Sequence, residues 1–210
     1  MRIGEIKAQA LMLMYPDTPI RFDDSDDKSV ENAIYELKCN PSLAGLLESA
    51  TGSINRALGI IEAAGLSALK YQEISASACD VRGDGRIVIR PAADLLYVDS
   101  VTCRYGGKTY VCQYEMSGEH LITNPTRGII TIVYRAKIPR VCSVTSDSHR
   151  LPLPRAVCEL IPYYIKGELM SQENEEEARL SRQHFEKCIE DLASVLSACP
   201  QRISTIYSME

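Results

Sequence analysis

Gly107-Lys108-Thr109 has the ending of a phosphate-binding loop, in which backbone N–H groups and a lysine hold a phosphate. That chemistry needs a glycine five residues before Gly107, where Thr102 stands, and a helix afterwards. A β-branched run follows instead, so the triplet reads as a hairpin turn. Asp80, Asp84 and Gly85 resemble the start of a calcium loop, but the third ligand position falls on Arg82 and the twelfth on Pro91. Neither suits a hard cation, and Asp84-Gly85 is explained by a tight turn. Arg82-Gly83-Asp84 matches an adhesion tripeptide, a match short enough to arise by chance. The acidic run Asp23-Asp24-Ser25-Asp26-Asp27 lacks the glycine and terminal glutamate of an EF-hand and reads as a solvated capping loop.

Nucleophile chemistry has no better frame. No Gly-x-Ser-x-Gly elbow is present, and His120, His149 and His184 lie in no catalytic or zinc-ligand spacing. The eight cysteines are Cys39, Cys79, Cys103, Cys112, Cys142, Cys158, Cys188 and Cys199. They are scattered, with no C-x-x-C pair, in a long chain for which no export signal is expected. The expectation is reduced, mostly buried thiols rather than a disulfide framework. No catalytic residue, metal or cofactor is expected.

The composition agrees. The chain has 210 residues, 45% of them hydrophobic and 24% charged, with net charge −5. That supports a packed core and argues against global disorder. An acidic chain is a poor nucleic-acid coat. No apolar run reaches the length of a membrane span. Residues 1–14 carry Arg2, Glu5 and Lys7, so no signal-peptide centre is expected there.

Three segments separate by period. Ile3, Ile6, Ala10, Leu13 and Met14 share a helical face. Val30, Ile34 and Leu37 mark a short second helix, and Ser42 is a candidate cap for a third. That third helix carries Leu43, Leu46, Leu47, Ala50, Ile54, Ala57, Leu58, Ile61 and Ala64, with Gly65 as its stop. Gly45, Gly52 and Gly59 recur every seven residues along it. They mark either a line of close helix approach or a tolerant surface. From about 72 to 144 the period falls to two, predicting five or six antiparallel strands in a small sandwich or open barrel. Arg86-Ile87-Val88-Ile89-Arg90 and Gly128-Ile129-Ile130-Thr131-Ile132-Val133-Tyr134-Arg135 are the clearest strands. Helical period returns at Leu151, with Pro162 predicted to kink the first helix and Leu180, Phe185, Ile189, Leu192 and Leu196 lining the second. The fold class is α+β. A helical bundle of three N-terminal and two C-terminal helices (1–72 and 151–197) holds an inserted small antiparallel β domain (73–150), and a flexible tail covers 198–210.

Three phrases in this order resemble the head-to-tail adaptor (connector or neck) proteins of tailed bacteriophages, of the tubular-tail type. The first is Ser53-Ile54-Asn55-Arg56-Ala57-Leu58-Gly59-Ile60-Ile61-Glu62, leading to Lys70 and Tyr71. The second is the strand from Gly128 to Arg135 followed by Leu151-Pro152-Leu153-Pro154. The third is Glu159-Leu160-Ile161-Pro162-Tyr163-Tyr164-Ile165-Lys166-Gly167-Glu168-Leu169 with its acidic break and long helix. The resemblance implies a structural virion protein at the head–tail interface, made in the host cytoplasm. It implies a self-assembled ring, commonly of twelve copies, between the portal protein and the next tail component. DNA would pass through without specific binding, and no membrane would be involved. It also implies that Ile203, Ile206 and Tyr207 form a portal-contacting tail. Leu58, Ile61, Tyr163 and Tyr164 are the candidate helix-packing residues. The alternatives are another neck ring, a stopper or terminator, or a small-ligand-binding α+β enzyme.

Overall fold

In the computed structural model, which describes residues 1–16, 27–124, 127–142 and 144–198, the long apolar stripes are helices. They are α1 (Ile3–Met14), α2 (Asp27–Cys39), α3 (Pro41–Ala63), α4 (Arg155–Cys158), α5 (Ile161–Leu169) and α6 (Glu175–Ala198). The strands are β1 (Leu69–Ser75), β2 (Asp80–Val81), β3 (Ile87–Ile89), β4 (Leu95–Tyr105), β5 (Lys108–Val111), β6 (Tyr114–Ser117), β7 (His120–Thr123) and β8 (Ile129–Ala136). The architecture is α+β. It divides into a helical unit, Met1–Leu66 with Pro139–Glu210, and a strand unit, Ser67–Ile138.

In the helical unit, Ile54, Ala57, Leu58 and Ile61 bury one stripe of α3 completely. Ala8 and Leu11 of α1 join Ile34 and Leu37 of α2, Leu47 of α3 and Ala178 of α6 in one core cluster. The side chains of Val30 and Leu196, like the acidic run 23–26, lie outside the described residues. Pro41 opens α3, because its fixed φ suits a first helical turn. The Asn40 carbonyl therefore accepts from the Leu43 and Ala44 N–H groups, and the helix begins before Ser42. α3 ends in a Schellman turn: Leu66 N–H donates to the Ile61 carbonyl and Gly65 N–H to Glu62. Gly65 supplies the positive φ of 73° that this turn requires.

Two expectations for the helices are corrected, and a third, left open between two alternatives, is decided. Pro162 does not kink a helix. The chain turns after α4 and Pro162 sits in the first turn of α5, where its missing N–H would have no intrahelical partner. Leu180 is 53% exposed, because the buried stripe of α6 runs through Ala178, Ser181, Phe185 and Ile189, a spacing that leaves Leu180 outside. The glycine line of α3 is a surface. A Cβ added at Gly45 or Gly59 meets nothing within 4 Å, and at Gly52 only the tip of Arg56 at 3.6 Å. Close approach occurs at Gly167 of α5, where a Cβ would stand 2.5 Å from Arg182 Cγ and 2.8 Å from the Ala178 carbonyl oxygen of α6.

Among its described residues the strand unit has eight strands in two four-stranded antiparallel sheets, ordered β1-β8-β4-β5 and β2-β3-β7-β6. Ile130, Ile132 and Tyr134 of β8 and Val101 and Cys103 of β4 face Ile87, Ile89 and Leu121 of the other sheet across a shared core. Gly106 and Gly107, at φ 58° and 78°, make the two-residue turn between β4 and β5, so Gly107-Lys108-Thr109 is a hairpin. Asp84 and Gly85 turn the chain between β2 and β3, where Arg82 N–H donates to the Arg86 carbonyl.

The units meet along the chain at 66/67 and 138/139, not at 72/73 and 150/151. β1 pairs with β8 from Leu69 onward. Leu69 and Tyr71 face outward while Ile74 packs on the core, which blurred the period there. Residues 139–150 have no helix or strand period and belong to the helical unit.

Candidate interaction surfaces and the cleft of the helical unit

Residues 139–150 are held by polar contacts to helices far away in sequence. Asn55 Nδ2 donates to the Val141 carbonyl at 2.7 Å, and Val141 N–H donates to Asn55 Oδ1 at 2.8 Å. The Arg140 guanidinium pairs with Glu62 of α3. The Asp147 carboxylate lies between Lys7 of α1 (3.0 Å) and Lys38 of α2 (2.7 Å). Gly4 N–H donates to the Asp147 carbonyl at 2.8 Å and Ile3 N–H to His149 at 3.0 Å, giving the start of α1 its missing acceptors. Gly4 permits this approach, since a Cβ there would be 3.1 Å from Asp147 and 3.2 Å from Ile34. Burial pushes the Asp147 carboxyl up, but Lys38 and Lys7 outweigh it and hold the group below the usual carboxylate range.

This segment forms one wall of a cleft of about 1100 Å³ whose other walls come from α1, α2 and α3. Its floor mixes the apolar Ile34 and Leu47 with Thr51, Thr145, Ser146 and Ser148. The cleft's two lysines share Asp147, whose single negative charge offsets one of their two positive charges. Its described lining holds neither histidine nor cysteine. The lining mixes apolar side chains with hydrogen-bonding and charged groups, the combination found in sites for small ligands and peptide segments. Among the described residues no cluster of three His, Cys, Asp or Glu is placed to hold a metal, and no helix is long and apolar enough to cross a membrane.

The seven described cysteines are free thiols, and Cys199 lies outside the described residues. Only Cys103 and Cys158 are buried, which corrects the expectation of mostly buried thiols. Burial raises both thiol pKa values. Burial, with Cys103 close by, pushes the Cys112 thiol up to about 11. The exposed Cys142 is shifted the other way, by the Thr145 hydroxyl and by backbone N–H groups at Val144 and Thr145.

The outer face of the β1-β8-β4-β5 sheet is the second candidate surface. Leu69 and Tyr71 of β1, Val133 of β8 and Tyr97 of β4 share this face by register. Arg135, also on it, pairs with Asp99 at 3.4 Å. The outer face of the other sheet differs. There Arg86 bridges Asp84 and Glu115 beside Val88, and Ile122 is only 4% exposed.

Of the residues singled out from sequence, Leu58 and Ile61 lie in the buried stripe of α3, which packs on α5. Tyr164 of α5 is buried against Phe185, with ring centroids 5.1 Å apart, and its hydroxyl contacts Glu168 at 3.3 Å. Half-buried Tyr163 meets His184 edge-on at 4.6 Å. Ile203, Ile206 and Tyr207 lie outside the described residues. Sequence reasoning missed Asn55, Asp147 and the outer sheet face. The alternation Leu69, Tyr71, Glu73 was the one available signal for that face. No family model matches the chain, and no curated protein matches it.

Proposed function

We propose that this chain is a structural subunit of the neck of a tailed bacteriophage, an adaptor that assembles as a ring between the portal protein and the tail. The observation that carries the reading is the order of the chain. The strand unit, Ser67–Ile138, interrupts a helical unit whose C-terminal part carries the long helix α6. This is the arrangement that the resemblance implies. Charge supports it too. The strand unit has nine basic and seven acidic residues, net +2, and the helical unit fourteen and twenty-one, net −7. A ring needs two different patches that attract each other, and acidic surfaces along a channel keep passing DNA from sticking.

The test is mass photometry of the purified full chain, alone and with the portal protein of the same virus. A monomer that becomes a portal-bound ring, twelve copies being the expected number, supports the reading. A chain indifferent to the portal removes it. A second reading, a small-ligand binder, draws on the cleft of the helical unit. A ligand-dependent rise in melting temperature that Leu47→Asp abolishes would favour it.

A further inference from the structure

We propose that the outer face of the β1-β8-β4-β5 sheet is the contact surface for a second copy of this chain, and that it meets the exposed acidic side of α6 on that copy. The inference rests on the reading of the chain as a ring subunit, since it names the surfaces by which neighbours join. Single exposed apolar residues need no explanation, but a group sharing one face does. Tyr71 is 75% exposed, Tyr97 42% and Leu69 41%, and Val133 lies directly opposite Tyr71. Val111, on the same face at the β5 edge, is 77% exposed. On the opposite sheet the outward Ile122 is buried and Val88 half-buried, whereas the apolar residues of this face are exposed.

Charge identifies the occupant. Arg104 on this face and Lys137 just past β8 are exposed, and neither side chain has an ion pair among the described residues. Glu73 and Asp99 are the acids set among them, Asp99 being paired with Arg135. Two strand units of net +2 repel each other, whereas a strand unit and a helical unit of net −7 attract. On α6, Glu176, Glu186, Glu190 and Asp191 are exposed without an ion pair among the described residues, and they outnumber the exposed Arg179 and Lys187 on the same side. Leu180 and Val195, 53% and 61% exposed, add apolar area to the same helix. The contact is heterologous, with a different patch on each side, so it propagates around a ring instead of closing as a dimer.

A mixture of isotopically light and heavy full-length chain, treated with a zero-length carbodiimide coupler in the presence of portal, tests this directly. Mixed-isotope amide links from Lys137 to Glu186, Glu190 or Asp191 are expected. Tyr71→Ser and Glu190→Lys should each weaken self-association about tenfold with the melting temperature of the monomer unchanged. A portal-bound ring whose links map elsewhere, or whose assembly ignores both substitutions, overturns the surface and leaves the adaptor reading standing. The expected links in a chain that ignores portal uphold the surface and overturn the adaptor reading. Absence of any intermolecular link in a formed ring also overturns the surface.

Discussion

Asn55 satisfies both backbone groups of Val141, a residue 4% exposed and 86 positions away. Asn55→Leu leaves a buried N–H and a buried carbonyl without partners, at about 1–3 kcal/mol each. Urea unfolding should show a loss of about 2–6 kcal/mol. Asp147 gives a pH signature. Its folded pKa lies below the unfolded one, so its contribution is fully present above about pH 4. It is lost as pH falls through the folded value. Asp147→Asn should therefore flatten the acid limb of the stability curve between about pH 5 and 2, and an unchanged limb would refute this role. Thiol reactivity follows the same local logic. Cys142 should react with a thiol reagent well ahead of Cys103, Cys158 and Cys112 in the native protein, because the thiolate is the nucleophile. None of these three environments was visible in sequence, because each is built by partners dozens of residues apart and by exposure rather than by residue type.

At the scale of elements, glycine position decides the sign of a substitution. Gly59→Ala places a methyl group in open space on a helix and should stabilise α3 by about 0.5–1 kcal/mol. Gly167→Ala drives a methyl group into the Ala178 carbonyl and Arg182. It should cost about 1–3 kcal/mol, since two packed backbones cannot part cheaply. Thermal melts of the two variants should move in opposite directions. The seven-residue glycine spacing in sequence suited both a contact line and a bare surface. Only the neighbours distinguish them. α3 and β8 were legible because a single buried face imposes a clean period on each. β1 was not, because an edge strand with Leu69 and Tyr71 turned outward breaks the usual relation between apolarity and burial. The second sheet was undercounted for a different reason: β2, of two residues, is too short to show a period, although β3 showed its alternation from Arg86 to Arg90.

For the molecule as a whole, the division of charge between the units sets how assembly responds to salt. Raising ionic strength from tens of millimolar towards 1 M shortens the screening length to about 3 Å. Ring formation should weaken over that range while the monomer's melting temperature changes little. Insensitivity to salt would mean that apolar area alone drives association. The α+β class and the order of the two units were readable from the change of period, because core-facing patterns differ between helix and sheet. The cleft was not readable. Its walls come from four separate segments joined by the polar fastening of residues 139–150.

The strand unit begins and ends at the same place. Ala136 N–H donates to the Ala68 carbonyl at 2.9 Å, and Arg135 reaches the Ser67 carbonyl at 3.0 Å. A gap that narrow can be bridged by about two to four residues. The interval between is therefore a cassette: a gene encoding the helical unit could lose it, exchange it or acquire another without retracing the path of a single helix.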